Sequence, residues 1–329
     1  MKKVLTHLFE NKSFTKEEAY TILTGMTSGK YNQSQMAAFM TAYNMRSIRD
    51  VELEGFRDAM YDQCLKLDFS GYDLIDLCGT GGDGKNTFNI STLASFVVAG
   101  AGYKVAKHGN YGVSSGCGSS NVMEYLGYRF TNDQGKIHQA LDQANIAFLH
   151  APLFHPAMKT VAPIRKELGV KTFFNMLGPL VNPANPQFQS VGVFSLELAR
   201  LYAYIYQKTA KKFSILHALD GYDEISLTGG FKLINNKAEQ IVTLKAIGFS
   251  AILPEEISGG ETVEEAAGIF MTVLKGEGKE AQNKVVLANA ALAIQTFNME
   301  RSFSDCYAEA EEALISGRAF SCFKKLLEN

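Results

Sequence analysis

Two adjacent carboxylates, Asp223 and Glu224, follow an Asp220-Gly221 turn. Hard oxygen ligands of this kind suit a magnesium ion carried with a diphosphate. A solvated acidic loop is the plain alternative. Far upstream, Gly79-Thr80-Gly81-Gly82-Asp83-Gly84 follows the short apolar run Leu74-Ile75-Asp76-Leu77. Glycines let a backbone approach a phosphate closely and take up positive φ. A helix expected to open at about Ser91 offers free N–H groups and a partial positive charge. The loop can therefore hold an anion, although a tight strand-to-helix turn would read the same way. Two familiar patterns nearly fit and fail on context. The letters match GxGxxG, but the helix does not open within them. Gly79 to Lys85 matches the start of a Walker A loop, but Asn86 stands where a serine or threonine would hold magnesium.

Asn89-Ile90-Ser91-Thr92 places polar side chains at the expected helix start. Ser91 or Thr92 can be a simple N-cap, or the same side chains can face an anion in the glycine loop. A serine hydroxyl can also reach a magnesium bound to that anion. A second cluster ends the next expected strand: Lys107-His108-Gly109-Asn110, then Ser114-Ser115 and Gly118-Ser119-Ser120. It supplies one cation, an imidazole, an amide and several hydroxyls, a suitable set for a sugar bearing several phosphates. Alone, Lys107 would read as a solvated charge and His108 as a structural histidine.

These loops need a scaffold that brings them to one edge. The chain to about Leu67 reads as helices. Thr15-Lys16-Glu17-Glu18 is a capping box, and apolar residues then recur at helical spacing, as in Met36, Phe39, Met40 and Tyr43. Beyond Gly71, short apolar runs alternate with helical patterns. Strands are expected at 72–77, 104–107, 146–150, 190–194, 213–218 and 240–244. Helices are expected at 91–101, 120–126, 136–142, 199–208, 262–274, 282–297 and 302–327. This alternation predicts a mainly parallel sheet covered on both faces. Adjacent parallel strands present their ends at one edge, so the two polar loops should be neighbours. The expected organisation is a helical domain over 1–68, joined by parts of 155–182, and an α/β domain over 70–329.

The 329 residues carry a formal net charge of -2, from 32 basic and 34 acidic side chains. That balance excludes a surface that neutralises many phosphates at once, so no nucleic-acid partner is expected. The five cysteines are widely spaced and include no CxxC pair, which argues against structural zinc and for a reducing cytoplasmic compartment. The start, MKKVLTHLFENKSF, has too short an apolar stretch for a signal peptide. The longest apolar run, near Phe96 to Gly102, falls short of the roughly 18 residues a membrane span needs.

GTGGD, then NIST, then KHGN with a following SS, in this order and spacing, resembles the anthranilate phosphoribosyltransferase family. Arg165 to Gly169, Phe174 to Pro183 and Asp220 to Glu224 extend the resemblance over most of the chain. It implies a nucleoside phosphorylase-like architecture, a small helical domain and a larger α/β domain with the active site at the hinge between them. The implied reaction moves the phosphoribosyl group of phosphoribosyl diphosphate to the amine of anthranilate, the second step of tryptophan biosynthesis from chorismate. The implied donor site is Gly79, Gly82, Asp83, Thr87, Asn89, Ile90, Ser91, Thr92, Lys107, His108, Gly109, Asn110, Ser114, Ser115 and Ser119. The implied acceptor site is Gly79, Asn110 and Arg165, with His108 and Pro179. Magnesium, two ions per active site, is implied at Ser91, Asp223 and Glu224, with no acid or base residue assigned. The resemblance also implies a homodimer through the helical domain, with no membrane partner. From the residues alone, Arg165 would read as a helix-surface charge beside Lys166; only the resemblance places a carboxylate against its guanidinium.

The chain departs from the family's pattern at two positions. Asn121 stands where an aspartate is frequent, and Lys171 where an arginine is frequent. The nearest rival enzyme is a pyrimidine nucleoside phosphorylase, which binds inorganic phosphate and a nucleoside. The Asp223-Glu224 pair and the NIST segment favour a diphosphate with magnesium. A non-catalytic nucleic-acid-binding relative of the fold should have lost the loop motifs and gained a basic face, and this chain has done neither.

Overall fold

The computed structural model describes residues 1–112 and 117–329. Four helices come first: α1 (Lys2–Phe9), α2 (Lys16–Thr27), α3 (Gln33–Asn44) and α4 (Asp50–Asp62). Alternating elements follow: β1 (Leu74–Gly79), α5 (Ile90–Gly100), β2 (Lys104–Gly109), α6 (Ser119–Tyr125), α7 (Gln134–Ala144) and β3 (Ile146–His150). Next come α8 (Ala151–Phe154) and α9 (Met158–Leu168). Then come β4 (Phe188–Gly192), α10 (Leu196–Gln207), β5 (Lys212–Ala218), β6 (Phe231–Asn235) and β7 (Glu239–Val242). The chain closes with α11 (Val263–Leu274), α12 (Glu280–Phe297), α13 (Phe303–Ile315) and α14 (Arg318–Glu328). Two compact units result: Met1–Lys66 with Ala151–Asn185, and Leu67–His150 with Pro186–Asn329.

In the helical unit, the capping box forms at the start of α2. Thr15 Oγ1 accepts from the Glu18 N–H at 3.2 Å and the Thr15 N–H donates to Glu18 Oε2 at 2.9 Å. The core is an aromatic cluster of Phe39, Tyr43, Phe56 and Phe173, with Phe173 stacked on Phe56 at 4.6 Å. Each buried phenylalanine contributes roughly 2 kcal/mol. Phe173 comes from the second segment, so both segments share one core.

In the α/β unit, the seven strands run in the order β3-β2-β1-β4-β5-β6-β7. β1 to β5 are parallel; β6 and β7 are antiparallel to their neighbours. The β1–α5–β2 and β4–α10–β5 crossovers step in opposite directions along the sheet. Right-handed crossovers therefore put α5 and α10 on opposite faces. Helix α5 is buried from Thr92 to Gly100, and Phe96 meets Phe323 and Phe270 edge-on at 5.4 and 6.0 Å. On the α10 side, Tyr206 stacks on Phe213 at 5.4 Å.

The sequence expectations differ from this fold in particular ways. The first strand runs two residues later than expected and includes Cys78 and Gly79. Phe231–Asn235 is a strand outside the expected set: the run is only five residues long, and its pairing is with the flanking strands of an antiparallel edge. The expected helix over 302–327 is two helices, parted at Gly317, which takes φ +75°. The stretch before Glu10 is helix α1, and no helix among the described residues is long and apolar enough to cross a membrane.

Candidate active site

The glycine loop leaves β1 and holds the side chain of Asp223. The Gly81 N–H donates to Asp223 Oδ2 at 2.7 Å. A Cβ at Gly79 would lie 2.3 Å from that oxygen, so this position requires glycine. Gly81, Gly82 and Gly84 all have positive φ. Gly192, at the end of β4, is equally constrained, because a Cβ there would stand 1.4 Å from the Asp223 carbonyl oxygen. Glu224 reaches the start of α5, where its Oε1 accepts the Ser91 N–H at 3.0 Å. A carboxylate is favoured at this helix end by the free N–H groups and the dipole. Asn289 of α12 holds the next residue on both sides, donating to the Ile225 carbonyl and accepting its N–H at 3.0 Å each.

The two carboxylates are poorly compensated. Asp223 is pushed up to about 7, first by burial and then by the nearby Asp83 charge. Glu224 is raised well above its usual range, first by burial and then by Asp223. Among the described residues, no cationic side chain stands within ion-pair distance of either. A desolvated acidic pair with a serine hydroxyl alongside is a fitting partial shell for magnesium, which keeps oxygens from phosphate and water in its remaining positions. Asp83 Oδ1 meanwhile accepts the Lys85 N–H at 3.0 Å, turning the loop.

Lys107 is 2% exposed, not a solvated charge. Its Nζ donates to the Leu77 carbonyl at 2.6 Å and reaches Ser91 Oγ at 3.4 Å. Burial pushes its ammonium down, and the Asp76 charge works against that shift. The neighbouring His108 is half-buried and its N–H donates to Asp76 Oδ1 at 3.2 Å. Gly109 needs its bare Cα, since a Cβ would be 2.3 Å from the Phe148 ring. Asn110 is exposed; its carbonyl accepts from the Ser120 N–H at 3.1 Å and Ser119 Oγ at 3.3 Å.

The α5 start differs from the expected one. Asn89 is the N-cap residue, but without a side-chain cap bond, and its amide donates to the Cys117 carbonyl at 3.3 Å. Ser91 and Thr92 lie inside the first turn, so neither is the cap. Ser91 is half-exposed, while Thr92 and Ile90 turn into the core, because α5 is covered on nearly every side. Thr87 is half-buried and bridges to Ser258. Ser114 and Ser115 lie outside the described residues.

Arg165 and Pro179 belong to the helical unit. Arg165 is half-buried on α9, its guanidinium 5.3 Å from the Phe174 ring and 3.4 Å from Asn175 Oδ1. Burial pushes its pKa down, and among the described residues no carboxylate pairs with it. It is not the exposed helix charge that its sequence neighbourhood suggests. Pro179 is buried in a short 3-10 turn, Gly178–Leu180. At the departures, Asn121 Oδ1 accepts the Gly112 and Gly118 N–H groups at 3.0 Å each, so the amide oxygen keeps a capping role. Lys171 is exposed, and its carbonyl accepts from Asn44 at 2.8 Å.

Sequence reasoning missed Gly192, Asn289 and Asp76. Asn289 sits mid-helix with no local signal, and its meaning appears only against Ile225.

A helical unit together with an α/β unit that carries a glycine loop, an acidic pair and a buried lysine at one sheet edge defines a glycosyl-transferring class of protein. Residues 2–64 match the helical bundle domain of a glycosyl transferase family, and residues 71–320 match the a/b domain of a glycosyl transferase family. Anthranilate phosphoribosyltransferase of Christiangramia forsetii is 59% identical over 99% of this chain and 98% of its own. The crystal structure of the Thermus thermophilus anthranilate phosphoribosyltransferase aligns with TM-score 0.91 at 33% identity, over 98% of each chain. The structure of the Saccharomyces cerevisiae enzyme of the same name, in complex with PRPP and Mg, aligns with TM-score 0.89 at 24% identity, over 98% of this chain and 96% of its own. The chain belongs to the anthranilate phosphoribosyltransferase family.

Proposed function

We propose that this chain moves the phosphoribosyl group of phosphoribosyl diphosphate to the amine of anthranilate and releases diphosphate, as the second step of tryptophan biosynthesis from chorismate. The observation that carries the reading is the undercompensated pair Asp223 and Glu224, one held by the Gly81 N–H and the other by the Ser91 N–H. With the Ser91 hydroxyl, these side chains would hold magnesium, two ions per active site. The metal would supply charge neutralisation at the diphosphate leaving group.

Gly79, Gly82, Asp83 and Thr87 line the donor from the β1 loop, and Asn89 to Thr92 from the start of α5, with Ile90 and Thr92 contributing backbone only, since their side chains are buried in the core. Lys107 to Asn110 and Ser119 line it from the β2 loop, and Ser114 and Ser115 complete the same set. Backbone N–H groups and Lys107 stabilise the departing diphosphate, while the ribose passes through an oxocarbenium-like state. Arg165 takes the anthranilate carboxylate with its two-pronged guanidinium. Gly79, His108, Asn110 and Pro179 complete the acceptor set. A neutral arylamine is already nucleophilic, so the residues position it rather than deprotonate it. The working protein is a cytoplasmic homodimer joined through its helical unit, in keeping with five cysteines that are all free.

The test is to incubate purified protein with anthranilate and phosphoribosyl diphosphate, with and without magnesium, and follow anthranilate fluorescence. Magnesium-dependent loss of fluorescence supports the reading. Steady fluorescence from folded protein, alongside cleavage of a pyrimidine nucleoside by phosphate, would replace it with the phosphorylase reading.

A further inference from the structure

β1 and β2 lie side by side and each is six residues long. Their registered pairs are Leu74↔Lys104 and Ile75↔Val105 alone. Each strand keeps its outer partner to the end: β1 pairs with β4 as far as Gly79↔Gly192, and β2 with β3 as far as Gly109↔His150. The registered pairing between β1 and β2 thus stops at Ile75↔Val105, although the two strands run on side by side. Beyond that register the buried backbone groups still need partners, since one left without any is costly.

Two of these groups are met by side chains from the opposite strand. The His108 N–H of β2 donates to Asp76 Oδ1 of β1 at 3.2 Å. The Leu77 carbonyl of β1 accepts from Lys107 Nζ of β2 at 2.6 Å. The exchange is reciprocal, each strand giving one side chain to the other's backbone. Both side chains are buried, Asp76 at 0% and Lys107 at 2% exposure. Asp76 is steadied from β4, where Gln189 Nε2 donates to its Oδ2 at 3.4 Å. Two side-chain bonds thus continue the link between β1 and β2 beyond their last registered pair.

We propose that Asp76 is a positioning residue: with Lys107 it clips the ends of β1 and β2 to one another, setting the glycine loop and the Lys107–Asn110 loop for a diphosphate between them. The inference rests on the reading of both loops as the donor site. Asp76 touches no reacting atom in this scheme; it acts through the His108 backbone and Lys107.

Two substitutions separate spacing from charge. Asp76→Asn keeps an acceptor for the His108 N–H, and the Gln189 amide can turn its oxygen to the new NH2. Asp76→Ser is too short to reach. For Asp76→Ser, the KM for phosphoribosyl diphosphate should rise about 10-fold or more, while kcat and the KM for anthranilate stay within about 3-fold. Asp76→Asn should keep all three within about 3-fold. A folded Asp76→Ser enzyme with an unchanged donor KM overturns the clip, and so does an Asp76→Asn enzyme as impaired as Asp76→Ser. Should Asp76→Ser fail to fold, hydrogen exchange of the His108 amide in the wild-type protein decides. Protection equal to the β2–β3 ladder amides upholds the clip, and loop-like exchange refutes it. Absence of turnover by the wild-type protein would strike the donor-site reading instead, leaving the clip to the exchange measurement.

Discussion

The two units each bury carboxylates, and they treat them in opposite ways. In the helical unit, Glu52 is fully buried and accepts from the Phe14 N–H, the Tyr43 hydroxyl, the Arg49 N–H and the Arg46 guanidinium, each within 3.0 Å. A cation and three further donors surround one acid, which ties the loops before α2 and α4 to α3. In the α/β unit, Asp223 and Glu224 receive backbone N–H groups but no paired cation: Asp83 adds like charge to both, and the Lys107 charge opposes the shift only at Glu224, as the last of its causes. The first carboxylate serves the fold. The second pair costs the fold stability, and on the proposed function it keeps its lone pairs for a cation. Under that reading, satisfied and unsatisfied buried acids separate a structural site from a functional one, where residue type and burial alone do not.

The sharpest break of this comparison is Asp223→Asn with Glu224→Gln. Turnover should fall about 1,000-fold or more, since a metal-assisted step draws several kcal/mol from its ion. The melting temperature of the metal-free protein at neutral pH should nevertheless rise, because the fold no longer bears the cost of holding two carboxyl groups with raised pKa, while the acceptor oxygens remain. A melting temperature that drops would mean the pair is structural after all. Glu52→Gln should do the reverse. Leaving Arg46 without its partner costs about 3 kcal/mol, read by chemical denaturation, while kcat in the surviving folded protein stays near wild type.

Gly79→Ala comes next in size. Its Cβ would stand 2.3 Å from Asp223 Oδ2 and must displace that carboxylate. A misplacement of this order should lower kcat/KM by about 10- to 100-fold, with little change in melting temperature; unchanged kcat/KM would remove Asp223 from the site. The smallest effect expected is at His150, buried at the end of β3 with its Nδ1 2.9 Å from Ser120 Oγ. Burial holds its folded pKa below the usual 6.5, against a smaller opposing pull from Glu124. Its contribution to stability is thus complete above that value and is lost as pH falls below it, because the unfolded chain takes the proton first. His150→Asn should flatten this acid limb in denaturation curves recorded from about pH 7 to about pH 5; an unaltered limb would place the loss elsewhere.

Much of the scaffold was legible in the residues themselves. Thr15 and Glu18 state a helix start, and 146–150 reads as the strand it is, because caps and short apolar runs are local. The glycine loop announced close backbone approach, yet what approaches first is Asp223, a side chain 142 residues away. Thr92 read as a ligand-facing hydroxyl and is buried, since the covering of α5 on all sides is not visible in its own letters. Lys107 read as a phosphate-binding charge; its burial and its bond to Leu77 belong to the pairing of two strands.

By itself, then, the sequence determined the order of elements, the places where only glycine suits the backbone, and the kinds of side chain brought to the loops. These depend on neighbours within a few residues, through φ, capping and hydrophobic period. Only the tertiary structure decided that β6 and β7 run antiparallel, that Gly192 must clear the Asp223 carbonyl, and that side chains of Asp76 and Lys107 link β1 to β2 beyond Ile75. Each of these depends on which distant backbone groups meet, and the cost of leaving a buried polar group unpaired is settled only when every partner is in place.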